Sequence, residues 1–346
     1  QLDGAMWEEK REEEHRSSAV PYLQAALQGS HSDSVSETLG PNDYIPPVDT
    51  LLLRAYIQSL PPGGPLMTVR FFIDRDRSSN PTRYCAFMTP RPPAHPSHSN
   101  AGEPEPRPHP RRNLLYARRW RKSRVSQYLL STNPEDLTQP RTRRSAGCLA
   151  KLKAESKRSY VLYEHTTDTK LRRELAVAIY SHERAAPDTV FEPKMEVAVP
   201  SATRPASGNG RWTMAEPPPG SRGETLHAKM GKIRCIGGQN STYGDHITIM
   251  ADRPPPRVWD AYNDARDPIL SVKNFSLFFT LPQDRSRRAA ILQDAGEGGA
   301  EALAKLPLLK MTKLSRDLYE VEFRQPLSLL QAFGLCISRF DTKQAE

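Results

Sequence analysis

The most continuous apolar run near the C-terminus is Pro326–Phe340, PLSLLQAFGLCISRF, and it leaves no polar face when wound into a helix. Leu327, Leu329, Leu330, Ala332, Phe333, Leu335, Cys336 and Ile337 cover nearly the whole circumference. A helix apolar all round has to be buried. The run is also shorter than the roughly 20 apolar residues a bilayer span needs, so it predicts a core helix inside a folded domain. Pro326 suits the first turn, and Arg339 and Lys343 suit the C-terminal end of the macrodipole. Gly334 costs about 1 kcal/mol against alanine mid-helix, which predicts close contact with a neighbouring wall.

Upstream the periodicity is that of strands. Apolar, β-branched and aromatic runs recur at Met67–Ile73, Arg83–Met88, Leu114–Tyr116, Ser126–Ser131, Ser159–Tyr163 and Met195–Val199, then at His246–Met250, Val272–Thr280, Leu308–Thr312 and Tyr319–Phe323. The first two flank DRDRSSNP and predict a hairpin. Residues 171–181, LRRELAVAIYS, place apolar positions at helical spacing opposite a charged face and predict a helix. Stretches near 89–110, 201–223 and 282–304 are polar or rich in Pro, Gly and Ser and are expected to be insertions. Residues 1–64 hold a mixed-charge run at 8–16 and a short helical possibility at 20–28; they are expected to form a poorly ordered leader ahead of one domain at 65–346. Many strands and one buried C-terminal helix predict a mainly β (α+β) domain, a closed antiparallel barrel wrapped around that helix, because closure removes exposed edges.

Composition narrows the chemistry. The 346 residues include 32 prolines, and the formal charge is +9, which favours an anionic partner: nucleic acid, a membrane surface or phosphorylated headgroups. Four dispersed cysteines with no CxxC pair predict neither a zinc site nor a disulfide scaffold, and a reducing intracellular compartment is the economical reading. No stretch resembles a signal peptide or a membrane span, and Gln1 at the start points to a fragment or a processed chain. The chain has no HExxH, GxSxG or P-loop lysine motif; GNGRW at 208–212 lacks the strand, helix and lysine of a phosphate loop. Asp264 and Asp267 sit in turn-like sequence and read as solvated caps, and the N-x-S/T matches at Asn240 and Asn274 matter only in a secreted chain. No enzyme, metal or cofactor is expected.

The strongest feature is basic. Residues 107–124, RPHPRRNLLYARRWRKSR, carry eight Lys or Arg and no acid, and Arg141, Arg143, Arg144, Lys151, Lys153, Lys157 and Arg158 follow. The two groups straddle the strand expected at 126–131, so folding would bring them to one side of a barrel. Cations held together on a rigid wall bind phosphates that one cation would not; the bland alternative is a solvated basic loop. Trp120 inside the cluster reads as an interfacial anchor, a base-stacking platform or a rim residue packing on the barrel.

The segment LYEVEFRQPLSLLQAFGLCISRFDTK at 318–343 resembles the C-terminal signature of the tubby family, an "LQAF" helix followed by "FD(S/T)K". The resemblance continues in order through SVKNF at 271–275, PKMEVAVP at 193–200, KLRRELAVAIY at 170–180 and RKSRVSQYLLSTNPEDL at 121–137, and more weakly to TVRFFIDRDR at 68–77. It implies a barrel of about twelve antiparallel strands threaded by a central hydrophobic helix. It also implies a non-enzymatic protein that binds phosphatidylinositol 4,5-bisphosphate: cytoplasmic, peripheral at the plasma membrane, monomeric, and an adaptor carrying receptors toward cilia. The leader is a place for protein cargo or a transport complex to bind. A nuclear, nucleic-acid-binding or transcriptional role on the same basic face is the alternative. The family's headgroup residues, in "RKRKKSKTSNYL" and "GKLRSN", fall on Arg118, Arg119, Arg121, Lys122 and Arg124, and on Lys151 and Lys153.

Three departures stand out. Lys153 replaces an arginine and loses its planar fork. The first stretch is one residue shorter and carries Trp120 at a basic position. Between 264 and 271 the chain lacks room for a strand resembling "YVLNFHGRV". The expected barrel is one strand short there unless residues 233–250 supply a substitute. Residues 1–60 show no F-box pattern, the hallmark of many plant relatives.

Overall fold

The computed structural model describes residues 46–61, 67–89, 111–120, 125–138, 147–165, 173–183, 192–203, 213–214, 225–230, 247–252, 269–280 and 306–341, apart from 48, 229, 270 and 272. In chain order these form helix α1 (Thr50–Gln58), then β1 (Val69–Asp76), β2 (Arg83–Met88), β3 (Arg112–Arg119) and β4 (Gln127–Ser131). A 3-10 turn (Pro134–Leu137) leads to β5 (Cys148–Ser156), β6 (Ser159–Glu164), β7 (Glu174–Glu183) and β8 (Glu192–Pro200). The short β9 (Ala202–Thr203) and β10 (Thr213–Met214) pair with each other, inside the insertion expected at 201–223. Then come β11 (Ile247–Asp252), β12 (Phe275–Phe279), β13 (Leu309–Lys313), β14 (Leu318–Phe323) and helix α2 (Leu329–Asp341).

Twelve antiparallel strands close into one barrel in the order β1-β14-β13-β12-β11-β8-β7-β6-β5-β4-β3-β2. No strand is missing from the wall. β11 pairs with β8 on one side and β12 on the other, so the stretch ending near residue 250 fills the place in doubt before Ser271.

α2 lies inside, and every residue from Leu329 to Phe340 is buried. It begins three residues beyond Pro326, so that proline precedes the helix and does not occupy its first turn. A buried helix must satisfy its terminal backbone groups within the protein. At the N-terminal end, Ser328 and Gln331 form a capping box: the Ser328 N–H donates to Gln331 Oε1 at 2.8 Å and the Gln331 N–H to Ser328 Oγ at 3.3 Å. Gln331 Nε2 then donates to the Leu175 carbonyl of β7 at 2.7 Å. At the other end the buried Lys273 ammonium donates to the carbonyls of Arg339 and Phe340, both at 3.3 Å, placing a cation on the negative end of the macrodipole. Tyr128 and Tyr160 donate to the two oxygens of Asp341 at 2.8 and 2.9 Å, and Tyr180 bonds Ser338 at 2.7 Å.

The expected helix at 171–181 is instead strand β7. Its residues Leu175–Tyr180 are all buried, because both faces of the strand are covered. Ala176, Ala178 and Tyr180 join the main core, while Val177 and Ile179 face outward into a second cluster with Val161, Ala198 and Met230. A strand covered on both faces shows a continuous apolar run in place of alternation, which periodicity does not distinguish from a helix.

The domain also begins earlier than residue 65. Within the expected leader, α1 is capped by Asp49, whose Oδ1 accepts from the N–H groups of Leu51 and Leu52 at 2.8 and 2.9 Å. Tyr56, Ile57 and Leu60 are buried, and Gln325 Nε2 donates to the Pro61 carbonyl at 2.6 Å, so α1 packs at the end of the barrel where α2 begins. The segments expected at 8–16, 20–28, 89–110 and 282–304 lie largely or wholly outside the described residues.

A Cβ on Gly334 would lie 3.0 Å from both methyl carbons of the buried Leu162, which is the close wall contact its position predicted. Gly334→Ala gains about 1 kcal/mol of helix propensity and loses about 1–3 kcal/mol to overpacking, so a net destabilisation of up to about 2 kcal/mol is expected in urea unfolding. Leu162→Ala alone should cost about 2–5 kcal/mol, and the double variant should lose less than the sum of the singles. Strict additivity would show that the two side chains do not compete for the same space.

Candidate functional site

The outer face of β3, β4 and β5 gathers the basic residues through register. Arg118 pairs with Leu129, and Leu129 with Lys151, so these three stand in one row across three strands; Tyr163 of β6 continues it. In the next row Gln127 pairs with Lys153, and the Trp120 N–H donates to the Gln127 carbonyl at 2.7 Å. The alternate residues of the same strands, Tyr128, Leu130, Ala150 and Leu152, point into the core. Strict alternation therefore turns Arg118, Lys151 and Lys153 outward, with adjacent strands about 4.8 Å apart.

Arg119 stands apart from that face. It pairs with the inward Tyr128 at the end of β3, is exposed at the rim, and donates to Ser126 Oγ at 3.0 Å. Trp120 is half-buried at the end of β3, which fits a rim residue. Arg121, Lys122 and Arg124 lie outside the described residues, between β3 and β4 in the sequence. Lys157 and Arg158 are exposed in the β5–β6 turn; Arg141, Arg143 and Arg144 also lie outside the described residues.

The cations already have work within the fold. Arg118 Nη1 donates to the Leu137 carbonyl at 3.0 Å and so ties the 3-10 turn to β3. Lys153 Nζ donates to both carboxylate oxygens of Glu155, at 2.9 and 3.0 Å. Tyr163 donates to Glu155 Oε1 at 2.8 Å. Glu155 was not among the residues singled out from the sequence. The signal was there: in KLKAE, positions 151, 153 and 155 fall on one face once the segment is taken as a strand. The density of Lys and Arg hid that period.

Beside Glu155, Leu226, His227 and Met230 pack on the barrel wall. The His227 N–H donates to Glu174 Oε2 at 3.0 Å, and His227 Nε2 lies 3.2 Å from Ser159 Oγ. Two neighbouring glutamates thus have opposite environments. Burial raises the Glu174 carboxyl, and the His227 N–H only partly offsets it. Partial burial also works to raise Glu155, but hydrogen bonds from Lys153 and Tyr163 and the lysine charge outweigh it and hold it low. At the barrel end, burial pushes the Tyr128 and Tyr160 hydroxyls well up, so both remain protonated donors to Asp341. Among the described residues no group of His, Cys, Asp or Glu could hold a metal ion, and no helix is long and apolar enough to cross a membrane.

A closed twelve-stranded antiparallel barrel threaded by a buried C-terminal helix is the architecture expected of the tubby class. The family model described as the Tub family matches residues 61–342, most of the chain, and the protein belongs to that family. It is similar to Tubby-like F-box protein 3 of Oryza sativa subsp. japonica, 31% identical over 114 residues that make up 32% of this chain and 24% of that relative. It is also similar to Tubby-like F-box protein 10 of Arabidopsis thaliana, 35% identical over 97 residues, or 26% of this chain and 20% of the relative. Tubby-like F-box protein 2 of Arabidopsis thaliana is 26% identical over 132 residues, or 37% and 29%. The matches thus span less than a third of each relative's length.

The two glutamates should titrate on opposite sides of an ordinary glutamate in carboxyl-detected NMR, Glu155 below and Glu174 above. The sign for stability follows: a lowered folded-state value means that the contribution of Glu155 is present above its unfolded value and is lost as pH falls through the folded one. Coincident titration of the two would refute the hydrogen-bonding account.

Proposed function

We propose that this protein is a non-enzymatic, phosphoinositide-binding adaptor that sits reversibly on the cytoplasmic face of the plasma membrane. The observation that carries the reading is the register of β3, β4 and β5, which sets Arg118 and Lys151 in one outward row and Lys153 with Trp120 in the next. A rigid wall presenting cations at strand spacing suits the adjacent phosphates of an inositol headgroup, and each basic residue near an anionic leaflet is worth about 1 kcal/mol. Arg119, at the rim beside that face, adds a further cation. Trp120 gives that surface an amphipathic ring suited to the interfacial layer. Family membership supports the reading, and cargo delivery toward cilia is the role it fits; the protein then acts as a monomer whose remaining surface carries protein cargo.

Neutralising Arg119, Lys151 and Lys153 together to glutamine should abolish binding to phosphatidylcholine vesicles containing phosphatidylinositol 4,5-bisphosphate. Thermal stability should change little, because Arg119 is exposed, the two lysines are partly exposed, and surface ion pairs contribute about 0–1 kcal/mol. Unchanged vesicle binding would overturn the site. Soluble inositol trisphosphate should compete for the wild-type protein. Displacement by duplex DNA, with affinity falling steeply in salt and no headgroup preference, would point to nucleic-acid binding on the same face.

A further inference from the structure

Glu155 occupies its place because the β5–β6 ladder is irregular. Ala154 pairs with Tyr160 and Ser156 with Ser159, so β5 uses two residues where β6 uses one, and Glu155 is the extra residue of a bulge. Bulges re-aim side chains. Here the carboxylate is turned along the strand onto Lys153, with both oxygens within 3.0 Å of its ammonium. Tyr163 fixes it from the neighbouring strand at 2.8 Å, and Tyr163 is itself the cross-strand partner of Lys151. The carboxylate therefore lies beside both lysine rows of the outer face. It is a fixed anion beside the cations Lys151 and Lys153.

We propose that Glu155 is a built-in competitor for the phosphate ligand: it holds Lys153 in the free protein, and a phosphorylated headgroup has to take the lysine from it. The inference rests on the reading of this face as a phosphoinositide site, and assigns the residue that sets its affinity. The exchange is feasible because the pair is partly exposed, with the two side chains 33% and 25% accessible, and exposed ion pairs hold weakly. A headgroup carrying several charges outcompetes one carboxylate, which a sparsely charged surface does not. When the headgroup binds, Lys153 exchanges its carboxylate for phosphate oxygens, and Glu155 keeps the Tyr163 hydroxyl as a donor. No covalent bond changes.

The experiment compares wild type, Glu155→Gln, Lys153→Gln, the double variant and Glu320→Gln on phosphatidylcholine vesicles with and without phosphatidylinositol 4,5-bisphosphate, with soluble inositol trisphosphate as a parallel ligand. Glu320 lies on β14, across the barrel and paired with Arg70, so its variant controls for net charge. Glu155→Gln should bind tighter by roughly fivefold, the worth of one released basic side chain near an anionic surface. Glu320→Gln should not, and the gain should vanish when Lys153 is already glutamine. A gain on vesicles and on the soluble headgroup alike supports competition at the phosphates, as does binding by Glu155→Gln where wild type shows none. The proposal falls if Glu155→Gln binds no tighter, or if its gain persists without Lys153; a weakening by Lys153→Gln in that case leaves the headgroup site standing. If neither wild type nor Glu155→Gln binds either ligand, the inference and the site reading fall together.

Discussion

A helix with no exposed side has to complete its hydrogen bonding inside the barrel, and that requirement organises this molecule. α2 resolves its N-terminal end with its own residues, through the reciprocal bonds of Ser328 and Gln331, and then spends the remaining amide of Gln331 on the carbonyl of Leu175. Its C-terminal end is resolved by the wall: Lys273 reaches the last carbonyls, and two tyrosines from β4 and β6 hold Asp341. Each bond is expensive to lose, since a buried polar group left unpaired costs about 1–3 kcal/mol. The helix therefore fixes the rotational setting of the strands that touch it, and packing at Gly334 against Leu162 fixes its distance from them.

The outer surface inherits this precision. Tyr128 points inward to Asp341, so its neighbours Gln127 and Leu129 point outward. Leu152 and Ala150 are buried in the core, so Lys151 and Lys153 are not. A slip of one residue in β4 or β5 would bury the lysines and expose the core, which makes the register strongly specified. The basic face is rigid for the same reason that the helix is buried.

Legibility in the sequence followed how many faces of an element are covered. α2 was recognisable because a helix with no polar side has one physical interpretation, and strands buried on one face such as β1 and β14 announced themselves by composition and alternation. β7 did not, because Leu226 and Met230 cover its outside, and a strand apolar on both faces reads like LRRELAVAIYS. β5 was hidden by its chemistry: alternating lysines were legible as a cluster of charge and not as the outward half of a strand. The residues on either side of the basic face could be named from the sequence, yet Arg119 separates from Arg118 and Lys151 only when register is known. The period of KLKAE could have put Glu155 on the outer face, but the bulge that holds it there leaves no mark in periodicity.

Net charge is consequently a poor measure of what such a face does. The formal +9 counts every cation equally, but Arg118 is holding the Leu137 carbonyl, Arg119 the Ser126 hydroxyl and Lys153 a carboxylate. None of these bonds is deeply buried, so each is exchangeable at small cost. A ligand reaching this surface meets side chains already aligned by weak internal partners, and less conformational entropy remains to be lost on binding. Internal partners thus lower the strength of each individual contact while improving the geometry of the set. On the proposed reading of this face, a multiply charged headgroup would gain from that exchange by satisfying several donors at once, whereas a single anion would displace a partner for each contact it makes.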